Sequence, residues 1–323
     1  MKKTRLFALI LCAGIALSAL SGCKKVFDTA ADVPLFPVLI NGIVIDERPT
    51  RVACLSESIY EIAADFGYAD QIAFAADDIT SAEEEPTEDA PPEESGSSEE
   101  STDDVSATVP IKIGTAAAPN IDGLIAAAPD LIITTQRLSK RDLERLSASE
   151  LKVIILETAK NLADLETYYK NIATIFGGVL SPKYDNIVVK DGTAVSTGED
   201  VAMQFYNDVA ALIESRVSNR KPSFVYVLSV SPPIAATSGT FAGDIMSRFG
   251  ENLGEGSNVG VATGFVGTQP SRVFAALPLG GANLDPLDLG AVPDDVISLD
   301  NSAFMLQSPS KLISVINVIT ERM

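Results

Sequence analysis

Three cysteines, no histidine and no tryptophan bound the chemistry open to these 323 residues. Without imidazole there is no Ser-His or Cys-His couple, and the commonest zinc and haem-iron ligand is missing. One turn, Thr237-Ser238-Gly239-Thr240-Phe241, has a serine before a glycine, but it lacks the Gly-x-Ser-x-Gly frame and a base. No phosphate-cradling glycine loop and no metal-ligand spacing occurs. The expectation is a protein that is not an enzyme, with no catalytic residue, no metal and no resident cofactor. The residue placed for chemistry is Cys23, which follows Leu20-Ser21-Gly22 at the end of an apolar run. Cys12 lies inside that run, and Cys54 is then left without an intrachain partner, so the core must hold the fold without a disulfide.

The elements around Cys23 read as an address. Lys2, Lys3 and Arg5 precede the apolar Leu6–Leu20 stretch, which falls short of the roughly 20 residues needed to span a bilayer. Residues 1–22 therefore form a secretory leader. Leu20-Ser21-Gly22-Cys23 is similar to the bacterial lipobox, which implies that Cys23 receives a diacylglycerol and becomes the mature N-terminus. Several acyl chains anchor stably where one is marginal. The expected location is the cell membrane, lipid-anchored on the extracytoplasmic face, with residues 23–48 as anchor and tether.

Loss of the three basic leader residues takes the formal charge from −20 to −23. That excludes nucleic acid as a partner and argues against docking on anionic headgroups through the body. Aromatic residues make up only 6% of the chain, so the core is aliphatic.

Short apolar strands alternate with amphipathic helices: Arg51-Val-Ala-Cys-Leu-Ser56, then Glu57–Tyr68 with Ile59, Ile62, Ala63 and Phe66 on one face, then Gln71–Ala76. Residues 36–45 are long enough for one early strand. Ser81–Asp104 holds eleven acidic residues, no basic ones and three prolines, so 81–108 reads as a disordered acidic insertion. It lacks the ligand spacing and turn glycine of a calcium loop. Strands at Val109–Gly114, Leu131–Ile133 and Lys152–Glu157 alternate with helices beginning at Asn120 or Asp122, at Ser139 and at Asn161. This pattern predicts a parallel sheet with crossover helices. A helix over 199–219 carries Val201, Phe205, Val209, Leu212 and Ile213 toward the core. A second series follows at Ser223–Val230 and Val296–Asp300. The expected domains are an N-terminal lobe, 49–176, a linker, 177–221, that contains the long helix, and a C-terminal lobe, 222–323.

Three stretches in order carry a resemblance: Arg48–Asp78, Val109–Gln136 and Ser223–Leu253. Together they resemble the solute-binding lipoproteins of ABC importers for cobalamin, siderophores and haem. The resemblance implies an α/β fold of two lobes, each a mostly parallel sheet with flanking helices, joined by a single long helix (the class III solute-binding fold). It implies a monomer that holds a siderophore, cobamide or haem-class solute between the lobes and delivers it to an ABC permease and its ATPase. A neutral or cationic chelate, or a cobamide, suits the acidic surface better than a strongly anionic ferric siderophore. The alternative function is a lipid-anchored surface protein that keeps the fold but binds another protein without transport.

Loops after strand C-termini should face the cleft. On that reading the N-terminal lobe contributes Ser56, Glu57, Ser58, Asp77, Asp78, Thr115, Gln136 and Arg137. The C-terminal lobe contributes Ser229, Ser231, Thr237, Ser238, Thr240 and Phe241. Arg137 offers a planar fork for a carboxylate or phosphate; the other reading is a surface arginine leading into the next helix. Tyr60, Phe74, Phe241, Phe265 and Phe304 are the aromatic residues available to face a corrin ring, each otherwise a core residue. The family docks on its permease through one acidic residue per lobe. Asp122, seven before Pro129, matches the first; Ser271, seven before Pro278, stands at the second.

Overall fold

The computed structural model describes residues 25–79, 109–184, 187–217, 221–254, 260–261, 269–277 and 296–323. Residues 1–22, read above as a leader, together with Cys23, the 81–108 stretch read as a disordered insertion, and Phe265 lie outside the described residues.

The N-terminal lobe is built on a five-stranded, all-parallel sheet in the order β6-β5-β4-β7-β8. Its strands are β4 (Val52–Cys54), β5 (Ile72–Ala75), β6 (Ile111–Lys112), β7 (Leu131–Thr134) and β8 (Val153–Ile155). β4 and β7 are buried along their whole length, as expected of strands covered on both faces. The crossovers are α1 (Glu57–Asp65), α2 (Ile121–Ala127) and α3 (Lys140–Ala148), and β8 leads into α4 (Leu162–Gly177). Each helix starts where a short polar side chain accepts a hydrogen bond from a backbone N–H of the first turn: Asn120 from Gly123, Ser139 from Asp142, Asn161 from Asp164.

α5 (Gly198–Arg216) joins the lobes and opens on a capping box between Thr197 and Asp200. It ends at Arg216, short of the Asn219 that the sequence suggested; residues 218–220 lie outside the described set. Gly177 and Gly198 let α4 and α5 approach closely: a Cβ on Gly177 would sit 2.8 Å from the Gly198 Cα, and one on Gly198 would strike the Ala173 carbonyl.

The C-terminal sheet runs β13-β11-β10-β14-β15, with β12 also paired to β10. Its strands are β10 (Ser223–Val230), β11 (Pro233–Ala235), β12 (Glu251–Asn252), β13 (Gly260–Val261), β14 (Arg272–Ala276) and β15 (Val296–Leu299). β10, β14 and β15 are parallel, whereas β11 turns back antiparallel to β10. The sequence reading passed directly from β10 to a turn; Ser231-Pro232 instead turns the chain back, and β11 begins at Pro233, proline being tolerated as the first residue of a strand. α6 (Phe241–Met246) follows, and α7 (Ser302–Leu306) and α8 (Pro309–Arg322) close the chain.

Two expectations change. Residues 36–45 hold two strands rather than one: β2 (Val38–Ile40) and β3 (Ile43–Ile45) form a hairpin, with Asn41 and Gly42 at positive φ in its turn. The stretch read as a tether is folded onto the body, since β1 (Lys25–Phe27) pairs in parallel with β9 (Ile187–Val189) and the Val179 N–H donates to the Leu35 carbonyl.

One buried cluster runs through both lobes, taking in Ile59, Tyr169 and Phe176 on one side and Tyr226, Phe304 and Ile316 on the other. A smaller cluster, with Leu55, Ile132 and Leu146, fills the opposite face of the N-terminal sheet.

Candidate functional site

The C-terminal ends of β4, β5 and β7 bring several of the expected N-terminal-lobe residues side by side. Ser56, which caps α1, shares a 3.0 Å hydrogen bond with Thr135 just past β7. Glu57 lies close enough to Lys311, Glu61 and Asp78 for their charges to act on it. Burial is the larger influence and raises its pKa; the two carboxylates add to that and Lys311 opposes it. Asp78 accepts from the Ala116 N–H at 2.9 Å, and Thr115 accepts from Ala118 at 3.1 Å, so both shape the loop beside the sheet end. Asp77, Gln136 and Arg137 are exposed.

Ser58 is not in an open cleft. Its side chain is buried, donating to the Leu306 carbonyl at 2.5 Å and sharing a 3.0 Å bond with the Tyr168 hydroxyl, so it joins the lobes. As the second residue of α1, it turns its side chain toward the end of α7 rather than past the strand end. On the C-terminal lobe, Ser229 accepts from the Ser231 N–H at 3.3 Å in the hairpin tip. Thr240 caps α6, Ser238 is exposed beside it, and Thr237 and Phe241 are buried. Phe74, Phe241 and Phe304 are core residues and Tyr60 is half-buried, so none of the three phenylalanines forms an exposed aromatic platform.

A cavity of about 780 Å³ opens where β7 and β8 end, within the size range of small-molecule sites. Arg137 is the one expected site residue on its wall, and no residue of the C-terminal lobe lines it, so this cavity differs from the cleft between the lobes that the sequence reading expected. Beside it stand Thr135, Glu157, Thr158, Lys160 and the α4 face Asp164, Thr167, Tyr168 and Asn171, with Asn41 at the β2–β3 tip and Leu138, Leu143 and Ile155 as the apolar part. Asn41 is held there by donating to the Ile155 carbonyl at 2.8 Å. Burial pushes the Tyr168 hydroxyl well above its usual range, against the Ser58 hydrogen bond, so it remains protonated. The wall is therefore rich in hydroxyl and amide groups, with charges of both signs. The Glu157–Lys160 loop follows β8, so the rule that selected the loops after β4 and β7 applied equally to it. The α4 face carried no comparable signal, because periodicity alone does not say that Thr167 and Asn171 border a void.

Among the described residues no group of three or more His, Cys, Asp or Glu is placed to hold a metal, and no helix is long and apolar enough to cross a membrane.

The docking residues are not equivalent. Asp122 lies in the first turn of α2, where Arg145 pairs with it. Ser271 leads into strand β14, and its N–H donates to the Ser223 hydroxyl at 3.1 Å. The spacing to a later proline is shared, but the C-terminal stretch is a sheet strand, so Ser271 is not at a helical lobe tip.

A family model described as periplasmic binding protein matches residues 52–178. Solved structures extend the likeness over most of the chain. The periplasmic haem binding protein HutB of Vibrio cholerae is 14% identical with a TM-score of 0.60, covering 84% of this chain and 98% of that one. The vitamin B12 binding protein BtuF of Vibrio cholerae is 18% identical with a TM-score of 0.56, covering 84% and 96%. The siderophore binding protein BauB, solved with two molecules of acinetobactin and ferric iron, is 17% identical with a TM-score of 0.57, covering 86% and 94%. The fold is that of the periplasmic binding proteins. The resemblance read from the sequence, and the α/β two-lobe architecture it implied, are borne out. No curated protein matches the chain in sequence. For a periplasmic binding protein fold, a cavity at the C-terminal end of a parallel sheet is where ligand sites of open α/β sheets are generally found.

Proposed function

We propose that this chain is an extracytoplasmic solute-binding protein, anchored through a lipid on Cys23, that holds a chelate or cofactor-type solute and delivers it to an ABC permease and its ATPase. The observation that carries the reading is the cavity of about 780 Å³ at the ends of β7 and β8, edged by Arg137. A guanidinium there offers a bidentate fork to a carboxylate or phosphate of the solute, while the hydroxyl and amide groups receive its neutral oxygens. The domain limits, the docking role of Asp122 and the remaining cleft residues belong to the same proposal. The role is binding rather than catalysis.

Melting of the Cys23→Ser chain, which cannot take a lipid, tests this with a corrinoid, haem and ferric chelates. A solute that binds only the folded state stabilises it by about 2.7 kcal/mol at a hundredfold excess over its Kd. One of the three should raise the Tm; no shift with any of them would refute a binding role for these solute classes.

The docking geometry favours a second reading, a lipid-anchored surface protein that binds another protein without transport. Asp122 is already paired with Arg145, and Ser271 supplies no charge. Neighbouring genes for a multi-span permease and an ATPase would support the first reading, and co-purification with neither would support the second.

A further inference from the structure

In sequence only Lys24 separates Cys23 from β1, and β1 is fastened to the linker between the lobes. Its register with β9 sets Val26 beside Val188, and the Asp28 carboxylate next along receives the Lys190 ammonium at 2.6 Å. One face of this two-stranded ribbon lies against Tyr184, just before β9 in sequence. The Lys25 ammonium lies 4.1 Å from the centre of the Tyr184 ring, and Phe27 meets the same ring edge-on at 5.8 Å. The other face leaves Val26 and Val188 55% and 41% exposed. Beyond β1 the chain stays on the linker, where Gly178, at φ +72°, lies so close to Leu35 and Phe36 that a Cβ would meet them at 2.6–2.8 Å.

A residue extends at most about 3.6 Å, so two residues place the Lys25 Cα within about 7 Å of the Cys23 Cα. If Cys23 carries a diacylglycerol, as proposed above, the ribbon is the part of the fold nearest the headgroups. Its charges suit that position. The whole chain is strongly acidic, at −20, and an anionic leaflet repels it over a Debye length of about 8–10 Å. In sequence, Lys24, Lys25, Lys183 and Lys190 lie in or beside the ribbon strands with Asp28, Asp32, Asp185 and Asp191, four of each sign. A neutral surface with a paired apolar centre can sit at an interface that the rest of the molecule cannot approach.

We propose that the outer face of the β1–β9 ribbon is the membrane-contact surface, with Val26 and Val188 against the lipid headgroup region. The linker between the lobes, rather than a lobe tip, is then held at the bilayer. The inference rests on the lipidated-Cys23 reading.

The test uses the processed full chain in vesicles of phosphatidylethanolamine and phosphatidylglycerol. Cys54 is fully buried with its pKa pushed up to about 12, and Cys23 would be a thioether, so an introduced cysteine is selectively labelled. Val188→Cys and, on exposed α3, Lys140→Cys receive a fluorophore, and quenching by headgroup-level nitroxide lipids is compared. Several-fold stronger quenching at 188 than at 140 is expected. Lys183→Cys on the flanking turn should show the same ordering, should Val188→Cys fail to fold. A diacylglyceryl mass on Cys23 with equal quenching overturns the orientation alone. An unmodified Cys23 and no retention on vesicles overturn the orientation and the anchor together.

Discussion

Gln307 should act as a clasp between the lobes, and removing its side chain should cost more than any surface substitution. It stands at φ +60° just past α7, 3% exposed, and its side-chain amide closes a pair of hydrogen bonds with Ala159. The amide NH₂ donates to the Ala159 carbonyl at 2.7 Å, and the amide oxygen accepts the Ala159 N–H at 3.0 Å. The Gln307 carbonyl meanwhile accepts the buried Tyr169 hydroxyl at 2.7 Å. Gln307→Ala leaves two buried backbone groups of the N-terminal lobe without partners, at about 1–3 kcal/mol each. Release of a restricted glutamine side chain offsets about 1.5 kcal/mol of that. The net loss spans about 0.5–4.5 kcal/mol around a midpoint near 2.5 kcal/mol, a large part of the 5–15 kcal/mol typical of folded domains. At about 2–4 °C per kcal/mol the Tm should fall by roughly 5–10 °C. Gln307→Gly should be milder than alanine by about 1 kcal/mol, since glycine adopts the left-handed backbone without strain. Urea unfolding of the Cys23→Ser chain, followed by circular dichroism, gives both values. A loss below about 0.5 kcal/mol for alanine, the range of neutral surface changes, would refute the clasp.

Arg137→Ala should weaken binding of an acidic solute by roughly ten- to hundredfold, the worth of a charge-assisted hydrogen bond, while leaving the unliganded Tm unchanged; titration calorimetry reads the first and a thermal melt the second. Gly243→Ala should destabilise by at least about 2 kcal/mol, because its Cβ would strike the Thr237 carbonyl in the turn that starts α6; a wild-type melting curve would contradict this. Burial tends to raise the Asp130 pKa, but hydrogen bonds from the Thr50 and Arg51 N–H groups and the Thr50 hydroxyl, with the Arg51 charge, outweigh it and hold it below the ordinary value. Its stabilising contribution is therefore present above the unfolded value of about 3.9 and lost as pH falls through the lower folded one. Asp130→Asn should weaken the protein at neutral pH, and the difference should close in that acid window; a difference constant with pH would count against it. Glu57 has the opposite sign. Its raised pKa means that ionisation above that pKa costs stability, so Glu57→Gln should match wild type in acid and exceed it at pH 7, as paired denaturation curves would show.

The helices and strands of the N-terminal lobe were legible because each carries its own local signals. Asn120, Ser139 and Asn161 cap where a polar residue precedes an apolar period, and Gly67 at φ +80° ends α1 as a glycine stop should. The β2–β3 hairpin was missed despite Asn41-Gly42, because one apolar run was read as one strand. The place of Tyr168 was not legible in the local pattern. α4 buries Tyr168 and Tyr169 together, so its inward arc is wider than a single amphipathic stripe, and it faces both α7 and the cavity.

By itself the sequence determined the order of strands and helices from β4 to the helix after β8, their parallel sheet, the long connecting helix and the family likeness. These follow from periodicity, caps and turn residues within a few positions of one another. Only the tertiary structure decided that Ser58 and Gln307 join the lobes, that the segment after Cys23 lies along the linker, and that Arg137 borders a cavity while Phe74, Phe241 and Phe304 do not. Each of those outcomes depends on what packs opposite a side chain from far along the chain, Ser58 against Leu306 and Ala159 against Gln307, and local pattern carries no record of such partners.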